Sequence, residues 1–162
     1  MKIFIAGIPG TGKTSIGDYL RDTHSFIHVD MEGDNKLQEL SVDPDRFLTE
    51  LINSPQKVVI TWGFAPNDWA IDKINKLKNN GFKLIWFDGN RKTALKKFIE
   101  REEKKGEKSL KKAKLAFSAQ MNAIDSSNVI VKIEPIIVNT FTKDADFKPC
   151  NMIVEEIFNL RV

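Results

Sequence analysis

Apolar positions along the chain fall into two alternating kinds of segment. Short runs at Lys2 to Ala6, Phe26 to Val29, Lys57 to Trp62, Phe82 to Phe87 and Ile136 to Val138 are rich in apolar and β-branched residues, the pattern of strands buried on both faces of a parallel sheet. Between them, apolar residues recur at helical spacing: Ile16 and Leu20, then Ile71, Ile74 and Leu77, then Leu95, Phe98 and Ile99, then Leu115, Phe117, Met121 and Ile124, and last Ile153, Ile157, Phe158 and Leu160. These spacings predict helices over 15–21, 68–79, 91–103, 113–124 and 151–160. Another helix is expected over 45–52, where Asp43 can cap and Pro44 suits the first helical position. The run Val129 to Ile133 fits a strand or a helix equally. Strands that alternate with helices imply a three-layer α/β fold with a mostly parallel sheet.

Composition narrows the class. A chain of 162 residues fits one domain, 1–162, large enough to bury a core, and its 41% hydrophobic and 29% charged content with a mean hydropathy of -0.30 is that of a globular protein. Its 25 basic and 22 acidic residues leave a charge of +3, too mild to imply nucleic acid. Cys150 is the single cysteine, which excludes an internal disulfide and a cysteine-based metal cluster. No signal peptide is read at the amino terminus, and no apolar run approaches the ~20 residues that cross a bilayer. The expectation is a cytoplasmic protein with no membrane partner. His24 and His28 lack metal-ligand spacing and read as residues of the fold.

The chemistry concentrates in Gly7-Ile8-Pro9-Gly10-Thr11-Gly12-Lys13-Thr14, which lies between the first strand and the first helix. This is GxxxxGK[ST] in the context that gives it meaning, a loop whose bare amides surround a phosphate. Gly7, Pro9, Gly10, Thr11, Gly12, Lys13, Thr14 and Ser15 are therefore candidate nucleotide-binding residues. Lys13 can reach the β- and γ-phosphates, Thr14 is the expected ligand for Mg²⁺, and Ser15 supports the loop.

Further candidates sit where strands end. Asp30 and Glu32 follow the second strand, in the crevice where open α/β sheets bind ligands. There Asp30 could take a proton from a substrate hydroxyl or hold a magnesium water, and Glu32 is a second such group. The alternative is a pair of solvated carboxylates that cap a helix. After the third strand, Gly63 permits close approach by a ligand, and Trp62 or Phe64 could wall a substrate pocket or pack beneath a loop. Asn139 and Thr140, after the last strand, are expected to line an adenine slot. Arg46 is the sole arginine of the segment at about 31–56, which is expected to form a small acceptor-site insert. A basic stretch at about 101–114 could be a solvated helix face or a lid that closes over triphosphate, with Arg101 as its preferred charge donor.

Taken together, the loop at the amino terminus, Asp30-x-Glu32 and the basic segment after the fourth strand resemble the small P-loop kinases, the shikimate, gluconate and adenylate kinase-like group. Trp86-Phe87-Asp88-Gly89-Asn90-Arg91 and Phe117-Ser118-Ala119-Gln120-Met121-Asn122 look most like gluconate-kinase-like proteins. The resemblance implies an α/β/α P-loop NTPase fold with a five-stranded parallel sheet of order 2-3-1-4-5. It implies ATP on Gly10 to Thr14, Asp30 serving Mg²⁺ or the acceptor hydroxyl, and Arg101 in a lid. Asp88 ends a hydrophobic strand as a magnesium-holding aspartate does, although it follows the fourth strand. The function expected is transfer of the ATP γ-phosphate to a small-molecule acceptor. The alternative is a P-loop NTPase or polynucleotide kinase acting on nucleic acid, against which the absence of an aromatic-rich basic face argues.

Overall fold

The computed structural model describes residues 1–160. Five strands, β1 (Lys2–Gly7), β2 (Phe26–Asp30), β3 (Lys57–Thr61), β4 (Lys83–Asp88) and β5 (Ile136–Asn139), form one parallel sheet in the order β2-β3-β1-β4-β5. That is the order the resemblance implied. The strand alternation sorts the core into two halves. Phe4, Ala6, Val58, Ile60, Leu84 and Trp86 point to one face, and Ile3, Ile5, Val59, Ile85, Phe87 and Val138 to the other. Because helices cover both faces, every position of β1 from Ile3 to Gly7 is buried, and its run reads as continuously apolar.

Helices α1 (Lys13–His24) and α8 (Cys150–Asn159) pack on the face that holds Ile3 and Ile5, through Ile16, Leu20, Ile153 and Ile157. On the opposite face lie α2 (Lys36–Val42), α3 (Pro44–Asn53), α4 (Asp68–Asn79), α5 (Arg91–Lys104), α6 (Leu110–Ser127) and α7 (Val129–Ile133). Capping follows the sequence signals. The Asp43 side chain accepts from Arg46 N at 3.1 Å with Pro44 in the first turn of α3, Asn67 caps α4 through Ala70 N, and Asn90 caps α5.

One helix boundary differs from the sequence expectation, and the readings the sequence leaves open are met by the following segments. The first helix opens at Lys13 rather than Ser15, so the phosphate loop runs directly into it. Segment 129–133 is a helix, bounded by left-handed Asn128 and Glu134, with Val129 and Ile133 buried one turn apart. The basic stretch at 101–114 is the end of α5, a turn through Gly106 and the start of α6, whose Ser109 side chain accepts from Lys112 N. Both histidines serve the fold. His28 sits beneath α1, within 3.0 Å of Asp18 Oδ1 and 2.8 Å of Thr61 Oγ1, and His24 packs edge-on against Phe158. No helix among the described residues is long and apolar enough to cross a membrane.

Candidate active site

The carboxyl ends of β1, β2 and β3 meet at the loop between Gly7 and Thr14. At Gly7, φ is 144° and a Cβ would stand 2.2 Å from the Phe87 carbonyl oxygen of β4. At Gly10, φ is 79° and a Cβ would stand 2.1 Å from the Ala94 carbonyl oxygen in the first turns of α5. Only glycine lets the loop lie this close to the neighbouring backbone. The Thr11 hydroxyl, buried, donates to Ile8 O at 2.7 Å and ties the crest of the loop to its base.

Lys13 Nζ donates to Gly7 O at 3.1 Å and Ile8 O at 3.0 Å, folded against its own loop. Burial of the ammonium lowers its pKa to about 8, against an upward pull from Glu32; Arg101 lowers it further and Asp30 raises it. The Thr14 hydroxyl donates to Asp30 Oδ2 at 3.2 Å, and Glu32 N donates to Asp30 Oδ1 at 3.2 Å. These bonds fix the Asp30 carboxylate at the foot of α1. A hydroxyl beside a carboxylate at a phosphate loop is the hard oxygen donor set that Mg²⁺ takes, completed by substrate phosphates and water. Among the described residues no cluster of three or more His, Cys, Asp or Glu could hold a metal without such partners.

Two cavities of about 390 Å³ each open on this loop. The first is lined by Gly10, Gly12, Thr14 and Ser15 on one side and by Lys97, Arg101 and Phe147 on the other. The second lies beneath Gly7 and Pro9, between the segment Gly63 to Pro66 and the helix α6. Lys13, Glu32 and Arg101 line both. Arg101 reaches this boundary from the last turn of α5, its guanidinium carbon 4.8 Å from the centre of the Phe98 ring and Nη2 2.8 Å from Glu102 Oε1. Glu32 reaches it by lying over Gly63, where a Cβ would stand 2.4 Å from Glu32 Oε1.

Four expected residues stand elsewhere. Trp62 is buried and packs on Phe4, Phe64 and Trp69, so the aromatic at the cavity is Phe64. Asn139 and Thr140 line neither cavity. Asn139 Oδ1 accepts from Phe141 N at 3.0 Å, and Thr140 is fully buried with no hydrogen-bond partner for its hydroxyl among the described residues. Asp88 accepts from Gly89 N and lines a separate pocket with Arg91 and Asp125. Among the residues that sequence reasoning missed is Phe147. The chain returns past β5, pairs Phe141 with Phe147, and sets the Phe147 ring over Gly12, with Lys97 Nζ 5.6 Å from the ring centre. Its signal, one aromatic in a polar loop, is too common to single out.

Similarity to solved structures agrees with this architecture. The chain resembles a gluconokinase from Sinorhizobium meliloti 1021, with TM-score 0.57 and 17% identity over 96% of this chain and 87% of that one. It also resembles a shikimate kinase from Bacteroides thetaiotaomicron, with TM-score 0.63 and 16% identity over 97% and 96% of the two chains. A shikimate kinase from Acinetobacter baumannii in complex with shikimate gives TM-score 0.61 and 14% identity over 96% and 90%. No protein-family model matches the sequence, and no curated protein does. The fold is that of the P-loop small-molecule kinases.

Proposed function

We propose that this protein transfers the γ-phosphoryl group of ATP to a hydroxyl of a small molecule. The observation that carries the reading is the shared wall of the two cavities. A phosphate seated on Gly10 to Thr14 and a hydroxyl compound beneath Gly7 would face each other across Lys13, Glu32 and Arg101.

In this reading Lys13 leaves the loop carbonyls for the γ-phosphate oxygens, and Arg101 approaches the same group from α5. Thr14 and Asp30 would hold Mg²⁺, which when bound neutralises charge on the phosphate oxygens. Asp30, bonded to Thr14, belongs to the metal side, and Glu32, which lines both cavities, is the carboxylate that orients the acceptor. The acceptor oxygen forms a bond to the γ-phosphorus as the bridging P–O bond breaks. The hydroxyl proton passes to Glu32, and ADP leaves with the bond's electron pair. Within one domain, segment 101–114 acts as the lid through Arg101, and segment 31–56 meets the acceptor cavity through Glu32. A single free cysteine and ATP as phosphate donor suit the cytoplasm.

Release of ADP, measured against hydroxy acids, sugars, nucleosides and nucleoside monophosphates, tests the proposal. Stimulation by one class and its loss in Lys13→Ala is the expected result. No stimulation by any acceptor, together with undiminished ATP binding by Lys13→Ala, would overturn it.

A further inference from the structure

Resting on the phosphotransfer reading above, we propose that the acceptor is a hydroxyl compound whose body carries no charge. The cavity beneath Gly7 is walled by Phe64, Ala65 and Pro66 after β3 and by Gln120, Ala123 and Ile124 on α6. Away from the boundary with the first cavity, the side chains of this lining are apolar apart from the Gln120 amide, and none is charged. That amide both donates and accepts, which suits one uncharged polar group on the acceptor. At about 390 Å³ the space is that of a small-molecule site.

Charge is confined to one edge. Among the described residues, the charged groups that line this cavity are Lys13, Arg101 and Glu32, and all three also line the phosphate cavity. A carboxylate or phosphate on the acceptor body would either compete with the γ-phosphate for Lys13 and Arg101 or lie against Phe64 and Ile124 unpaired. Against that apolar wall an ion would give up part of its hydration without gaining a charged partner. A cationic body would meet Lys13 and Arg101 beside Glu32 on that same edge.

The other described arginines are committed elsewhere. Arg21 pairs with Asp18 and Asp22, Arg46 lies near Asp43 and Glu50 on exposed α3, and Arg91 grips both oxygens of Asp125 at 2.7 Å. On α6, Lys111 and Lys114 line a different surface pocket, with Leu110 and Leu115. The helix presents uncharged residues to the acceptor and Lys111 and Lys114 to another surface.

The test is equilibrium binding to the full chain saturated with Mg²⁺ and ADP, by calorimetry or ligand-observed NMR. Matched pairs are compared: a nucleoside with its 3′-monophosphate, and a hydroxy acid with its methyl ester. A neutral polyol set beside the nucleoside distinguishes a polar body from a planar one. In the pairs that bind, the uncharged member is expected to bind about tenfold more tightly. Ala123→Arg, an exposed position on the cavity wall, is expected to reverse that preference. The inference is overturned if no uncharged member binds better than its charged partner, or if the preference is unchanged in Ala123→Arg. ADP release in the same panel separates the two proposals. A preference for uncharged ligands with no ADP release, together with undiminished ATP binding by Lys13→Ala, overturns the kinase reading and leaves the ligand preference standing, whereas faster turnover of charged than of uncharged acceptors overturns this inference alone.

Discussion

Thr14 and Asp30 meet at 3.2 Å, Oγ1 to Oδ2, and join the first turn of α1 to the carboxyl end of β2. They stand sixteen positions apart in sequence, and the parallel crossover through α1 brings them together. If the pair holds Mg²⁺, Thr14→Val removes an oxygen ligand and Asp30→Asn removes the negative charge of the other. Each is expected to lower kcat on the order of a hundredfold and to raise the Mg²⁺ concentration needed for half-maximal rate. The double variant should lose little more than either single one, since the two act as a unit. Rates titrated against Mg²⁺ check this, and an unaltered metal requirement in both variants would rule the assignment out.

Glu32 owes its place over the loop to the missing side chain at Gly63. In Gly63→Ala the new Cβ meets Glu32 Oε1, the tip of a flexible side chain, at 2.4 Å and displaces it without touching backbone. Thermal stability should change by no more than about 0.5 kcal/mol, while acceptor-dependent turnover falls at least as far as in Glu32→Gln. Melting curves beside kcat and KM decide the matter. A large stability loss with full turnover would mean that Gly63 serves the fold instead.

How much of this was legible in the sequence differs by residue. Gly7 to Thr14 declared itself because phosphate binding by backbone amides demands fixed glycines, and the alternation of Ile3 and Ile5 with Phe4 and Ala6 announced a strand covered on both faces. Asp30 and Glu32 were legible as carboxylates at a strand end, but their separate surroundings were not, since those depend on Thr14 and Gly63 from other segments. Of the two aromatics after β3, Trp62 takes the packing role because the β3 exit turns its ring into the core, and Phe64 is left at the cavity. Asn139 and Thr140 yielded to Phe147 because the chain folds back after β5, a tertiary event with no local periodicity. Local pattern fixed Val129 to Ile133 no better, since β-branched residues fit both states until burial of Val129 and Ile133 decides.

Gly10 separates stability from chemistry in the other direction. A Cβ there meets the Ala94 carbonyl oxygen at 2.1 Å and Phe98 N at 3.1 Å, both backbone atoms of α5, in a left-handed conformation that alanine resists. Neither side can yield cheaply. Gly10→Ala is expected to destabilise the protein by roughly 1–3 kcal/mol, more than Gly63→Ala, and to loosen α5 together with Arg101. Denaturant unfolding of the two variants side by side provides the comparison, and equal stability would show that α5 does not rest on the loop as described.

Lys13 gives the pH dependence. Its pKa of about 8 without nucleotide, depressed mainly by burial, means that the ammonium is present below that pH and lost above it. Phosphate favours the charged form, so the pKa rises on binding, and nucleotide affinity should fall as pH climbs past about 8, by up to tenfold per pH unit, until the pKa of the complex is reached. The same depression acts on folding with the opposite slope. Between about 8 and the ordinary value of 10.5 the unfolded chain binds the extra proton, so the stability of the nucleotide-free protein rises across that window relative to Lys13→Met. Lys13→Arg keeps its charge throughout and should flatten the affinity profile while weakening binding at every pH. ADP titrations from pH 6.5 to 9.5 on the parent and Lys13→Arg, with melting curves for Lys13→Met, measure both slopes. An affinity that stays level through pH 9 in the parent would show that Lys13 is not the group that meets the phosphate.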